Sequence, residues 1–242
     1  MKTSQPRAAA GFTLVELLVV VLIIATLSAL SLIGFRRMRA AGDRASTITV
    51  MRQMHVANAS YSIDHNGRYV PIVSKGEGGE ISMEWYRDPT FLSYLTGDPA
   101  LLDDLEKEVT VPTGVLDPVV LRAKKRQWER LSASFGFNST GLTWPTDSTS
   151  APMSHLSSKI ENPGKTAFIA TATNYMVSHA GRNLWKDAPV EGKTTTDKMA
   201  FRHGDKAVIV YYDGSTGFIT QDDIRRFDAN GGINNPFWKA TK

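Results

Sequence analysis

Residues 11–30 read GFTLVELLVVVLIIATLSAL, and the interpretation of this stretch decides the architecture. From Leu14 to Ile33 only Glu16, Thr26, Ser28 and Ser31 interrupt the apolar run. As a helix, about 20 residues rising about 1.5 Å each match the roughly 30 Å hydrocarbon layer of a bilayer. Two simpler interpretations share the stretch: a secretory signal peptide, for which Leu17 to Ala25 would suffice, and a plain single-pass anchor. Neither gives a reason for Glu16. An ionised side chain at the centre of a membrane helix costs on the order of 2.5 to 3.5 kcal/mol by insertion scales, and such an acid marks function with a partner. No base lies within a helical turn of Glu16 in the uncut chain. A cut between Gly11 and Phe12 supplies one. The new α-amine, with an ordinary pKa of about 7.7 to 8.0, then sits four residues before the acid or beside it on a neighbouring subunit.

The rest of the chain reads as globular protein: 42% of its 242 residues are hydrophobic and 21% charged, enough for one sizeable domain with an appendage or two small domains. There is no cysteine, which excludes a thiolate metal site, a cysteine nucleophile and a disulfide framework. Lys and Arg total 28 against 24 Asp and Glu. Losing Lys2 and Arg7 with residues 1–11 would leave a net +2. That is a weak electrostatic footprint, and no nucleic-acid partner is expected.

A short basic leader ending in Gly11, then Phe12, Thr13, Leu14, Val15 and Glu16 before an unbroken apolar run, resembles the prepilin signature of type IV pilins and type II secretion pseudopilins. The resemblance implies cleavage between Gly11 and Phe12 by a prepilin peptidase, N-methylation of Phe12, and assembly through Glu16 and the apolar helix. It implies homo- or hetero-oligomers with other pseudopilins, an inner-membrane assembly platform and membrane lipid as partners. The chain is then single-pass in the inner (cytoplasmic) membrane with its head on the periplasmic side. Arg36, Arg37, Arg39 and Arg44 outnumber Lys2 and Arg7, so the positive-inside rule alone favours the reverse orientation. The cleavage signature outweighs it, because the peptidase of this family acts on the cytoplasmic side.

The expected organisation is a leader at 1–11, an N-terminal helix at 12–67 with 12–35 in the membrane, and a globular head at 68–242. No proline occurs between Pro6 and Pro71, and Ala41, Ala45, Ile48, Met51, His55, Ala59 and Ile63 recur at helical steps, so the helix continues past the span with that stripe facing a core. Asn66 and Gly67 end it, and Pro71 prevents its resumption. SASFGFN (132–138), KTAFIAT (165–171), KAVIVYYDG (206–214) and TGFITQ (216–221) have strand composition, the last two joined by a turn at Asp213-Gly214-Ser215. LRAKKRQWER (121–130) reads as a helical piece with a solvated basic face. The fold class is α+β, pilin-like, a long N-terminal hydrophobic helix packed on an antiparallel β-sheet head.

His203, nine residues and then Asp213-Gly214 resembles a C-terminal motif of pseudopilin-like proteins, as do YSIDHNGRYVP (61–71), SFGFN (134–138) and NPGKTAFIA (162–170). A catalytic His203–Asp213 pair is disfavoured, because the intervening strand holds the two about 20 Å apart at about 3.3 Å per residue. Turn and strand-end hydrogen bonding is the expected role. Secretion pseudopilins often stabilise the head with calcium, for which Asp222, Asp223, Asp228 and Asn230 in QDDIRRFDANGG (221–232) are candidate ligands, in a loop suited to a hard cation. No other cofactor is expected. The histidines, at 55, 65, 155, 179 and 203, never fall at helical metal-ligand spacing, and no nucleophile elbow or phosphate loop occurs. The function expected is a structural subunit of a type II secretion pseudopilus, not an enzyme. A type IV minor pilin for adhesion or DNA uptake, and a membrane-tethered enzyme, are the alternatives.

Overall fold

The computed structural model describes residues 13–75, 81–98, 112–122, 131–147, 149–180 and 199–241. Gly11, Phe12 and most of LRAKKRQWER lie outside them. Two compact units are present, Met1–Gly42 and Asp43–Lys242, and helix α1 (Leu14–Asp64) contributes to both. In the first unit every residue from 13 to 33 is exposed. Among the described residues α1 is the one helix long and apolar enough to cross a membrane.

In the second unit α1 buries Thr47, Val50, Met51, Met54, Ala57, Asn58, Tyr61 and Ser62. The sequence stripe is off this face. Of its members only Met51 is buried, whereas Ala41, Ala45 and Ile63 are exposed. The apolar pattern misplaced the face because polar residues share it: Asn58 Oδ1 accepts from Val70 N at 2.9 Å, Ser62 Oγ donates to Ala59 O at 2.8 Å, and Thr47 is buried there as well. The end of α1 falls as the sequence indicates. Asn66 (φ 54) and Gly67 (φ 78) turn left-handed, and Gly67 N–H closes on Ser62 O at 2.7 Å, satisfying a terminal carbonyl.

Strands β1 (Val73–Lys75) and β2 (Ile81–Glu84) form an antiparallel pair. Helix α2 (Pro89–Thr96) follows, capped by Asp88 accepting from Phe91 N and ended by Gly97 at φ 72. Short helices α3 (Pro118–Arg122) and α4 (Leu131–Ser134) precede the main sheet. The sheet comprises β3 (Phe135–Asn138), β4 (Ala167–Thr171), β5 (Met176–Val177), β6 (Ala207–Tyr211) and β7 (Thr216–Ile219), in the order β5-β3-β4-β6-β7. It is antiparallel, as expected, except where the two-residue β5 joins β3 in parallel. The first residues of SASFGFN are helical, in α4.

The strands read as continuous apolar runs because the sheet is covered on both faces. On β6, Val208 and Val210 face a core shared with Met51, Met54 and Ala57 of α1. Ala207 and Ile209 face another, shared with Ile224 of α5 (Gln221–Ala229), Phe237 and Trp238. Trp85, fully buried, seals the α1 side: its Nε1 donates to Tyr175 O at 2.6 Å, and its ring stands edge-on to Phe137 at 4.7 Å. Burying such side chains contributes roughly 1.5 to 3 kcal/mol each.

Candidate functional site

The N-terminal site begins with a local hydrogen-bond exchange. Thr13 N–H and hydroxyl donate to Glu16 Oε2 at 2.9 and 2.8 Å, and Glu16 N–H donates back to Thr13 Oγ1 at 3.3 Å. Thr13 is therefore the N-cap of α1 and Glu16 its third residue, a capping box. The acid thus has a partner inside its own chain. The Thr-x-x-Glu spacing carried this signal, and reading Glu16 solely as a membrane charge passed over it. Beyond this cap lie the exposed apolar turns from Leu14 to Ile33, a surface that lipid or sister helices must cover.

The His203-Asp213-Gly214 motif is split between the two ends of the β6–β7 hairpin, and each end meets α1. At one end His203 is 4% exposed, and its backbone carbonyl accepts from the Arg44 guanidinium at 3.2 Å. At the other, His55 Nε2 lies 3.0 Å from Tyr212 O. Gly214 (φ 82) packs so closely on the His55 ring that a Cβ would come within 3.0 Å of Cε1. Asp213 Oδ1 accepts from Ser215 Oγ at 2.6 Å and Ser215 N at 2.9 Å. These bonds hold its carboxyl below the usual range, the Ser215 hydroxyl first among the causes. Asp213 N–H donates to Pro163 O at 3.2 Å, and a Cβ on Gly164 would strike the Asp213 carboxylate at 2.8 Å. The NPGK turn and the hairpin tip are thus fitted to each other.

The acid that His203 meets is Asp117, wholly buried, with Oδ2 3.1 Å from His203 Nε2. Arg202 Nη1 lies 3.7 Å from the same oxygen, and its guanidinium also donates to Ala133 O and Ala172 O. Asp117 Oδ1 caps the first turn of α3 by accepting from Val119 N at 2.8 Å. Burial would raise the Asp117 pKa, but the His203 hydrogen bond and the Arg202 charge outweigh it and hold the carboxyl below its ordinary value. Burial pulls Arg202 down, with Asp117 opposing. Sequence reasoning missed both residues. Asp117-Pro118 before Val119 and Val120 was a legible cap signal, yet nothing local joins residue 117 to 203. With Asp117 and His203 both sealed from solvent, the cluster ties distant segments together and offers no access to a substrate.

The candidate metal ligands occupy helix α5 and its C-cap, where a loop was expected, because Thr220 and Asp223 form a capping box. Asp223 Oδ2 accepts from Thr220 N and Oγ1, both at 2.7 Å, and its Oδ1 pairs with Arg226. Asp222 pairs with Arg225. Asp228 Oδ1 lies 3.0 Å from His179 Nε2, and Asn230 is the C-cap. Among the described residues no three His, Asp or Glu side chains converge on a point suited to a metal.

Residues 6–32 match a family described as the prokaryotic N-terminal methylation motif. The chain thus carries the signature of type IV pilins and pseudopilins, ahead of an α+β fold consistent with that of pilins. The signature and the one long apolar helix fit a membrane-anchored, single-pass structural protein. No curated protein and no solved structure matches the chain.

Proposed function

We propose that the chain is a pseudopilin-like structural subunit of a type II secretion pseudopilus. It is cut between Gly11 and Phe12 by a prepilin peptidase, methylated on the Phe12 amine, and held in the inner membrane with its head on the periplasmic side. From there an assembly platform drives it into a filament with other pseudopilins. The observation that carries the proposal is the methylation motif over residues 6–32, continuous with an apolar helix that no part of its own unit buries. Work is done by assembly: subunits leave the bilayer, stack helices and move the heads. The head's buried Asp117–His203 pair supports a structural role, since both side chains are inaccessible to substrate.

Intact-mass measurement of the membrane-extracted protein tests the reading. Loss of residues 1–11 with one added methyl group is expected. A chain retaining Met1, or cut after Ala29, overturns it. Imaging separates the secretion filament from a surface pilus: the proposal requires short assemblies within the envelope and no filament outside the cell.

A further inference from the structure

The segment following α1, residues 154–161 and Thr241 enclose a cleft of about 740 Å³, within the range of about 300 to 1,000 Å³ typical of small-molecule sites. Its lining includes Arg68 and Lys159, the hydroxyl-bearing Ser158 and Thr241, and the apolar Leu142 and Ile160. Arg68 is half-buried, and among the described residues its guanidinium has no hydrogen-bond or ion-pair partner. It is alone in this among the arginines described in the unit Asp43–Lys242. Every other arginine described in the unit Asp43–Lys242 reaches a carboxylate, a hydroxyl or a carbonyl. Nor does Lys159 have a polar side-chain partner among the described residues.

A guanidinium drawn partly out of water loses solvation that a planar anion restores with two parallel hydrogen bonds. The cleft also sets the ligand's charge. Among the described residues Glu161 stands on its wall with Arg68 and Lys159, leaving one net positive charge, which suits a monoanion better than a phosphate dianion. Hydroxyl side chains flanked by apolar ones suit a compact ring that carries hydroxyls on an otherwise carbon frame. The space is far larger than a simple inorganic anion needs.

We propose that this cleft binds the carboxylate of an acidic sugar, with Arg68 gripping the carboxylate, Lys159 adding charge, and Ser158 and Thr241 meeting ring hydroxyls. The sugar is either a free uronic acid or the end of an acidic glycan chain. No residue of α1 is among those lining the cleft.

The test uses the full chain extracted in detergent micelles, with calorimetric titration of glucuronate, glucose and inorganic phosphate in parallel. Glucuronate is expected to bind, and glucose and phosphate to bind at least about tenfold more weakly, the scale set by one charge-assisted contact. Arg68→Gln should weaken glucuronate binding by roughly tenfold or more while leaving the melting temperature unchanged, since Arg68 supports no other group. Lys159→Gln should weaken it less. A reducing-end-blocked oligoglucuronate that binds as well as the monosaccharide identifies a chain end as the source, and one that does not identifies the free acid. The proposal is overturned if glucuronate fails to bind, if phosphate or glucose binds equally well, or if Arg68→Gln leaves glucuronate affinity intact.

Discussion

Replacing Asp117 by asparagine removes one charge from the centre of the head with almost no change in shape. The amide oxygen can still accept from Val119 N, now at 2.8 Å from Oδ1, so the helix-capping contribution of about 1 kcal/mol is largely kept. Lost is the counter-charge to Arg202, 3.7 Å away, and the charge-assisted partner of His203 at 3.1 Å. Breaking a buried pair from one side costs about 3 to 5 kcal/mol. Arg202 keeps its bonds to Ala133 O and Ala172 O, which places Asp117→Asn near the lower end, about 3 kcal/mol. Against a typical total of about 5 to 15 kcal/mol this is a large fraction. Urea unfolding of the detergent-solubilised chain, followed by the fluorescence of buried Trp85 and Trp238, measures it. Arg202→Met in the same background removes the orphaned charge, so the double variant should be at least about 1 kcal/mol more stable than the sum of the single losses implies. A loss below about 1 kcal/mol for Asp117→Asn, or strict additivity with Arg202→Met, refutes the account of the cluster as a charge-balanced tie.

Burial pushes His155 down to about 4. The unfolded chain therefore binds a proton below about 6.5 that the folded chain refuses, and stability falls as pH drops from about 6.5 towards 4, by roughly 3 kcal/mol from this residue. His155→Gln should remove most of that pH dependence in urea titrations at pH 4.5 and 7, and an unchanged difference between the two pH values would count against it. Gly214→Ala should lose about 2 kcal/mol, since a left-handed φ costs an L-residue about 1 to 2 and the new methyl meets the His55 ring at 3.0 Å; adding His55→Ala should relieve the steric part, and thermal melts of the pair check it. Glu16→Gln keeps the capping box with Thr13 but removes the charge, and should insert and be cleaved normally yet fail to cross-link into filaments. Wild-type yields of cross-linked filament would confine Glu16 to helix capping.

Where the chemistry is local, the chain's order of residues was sufficient. The apolar run from Leu14 to Ile33, the Thr13–Glu16 spacing, the stop at Asn66-Gly67 and the turn at Asp213-Gly214 each follow from hydropathy, a cap or a positive φ within a few neighbouring residues. The structure realises the last two as left-handed turns at Gly67 and Gly214. Decisions taken between distant segments were different. The buried face of α1 was set by which side meets Val208 and Val210, and it admitted Asn58 because Val70 N–H happens to arrive there. The pairing of Asp117 with His203 spans 86 residues, and Arg68 joins Lys159 and Glu161 on one cleft wall only through the fold. A side chain's partner is fixed by approach in space, and burial then decides what that partner is worth, since a charge that water would screen at the surface must be balanced within a few ångströms in the core.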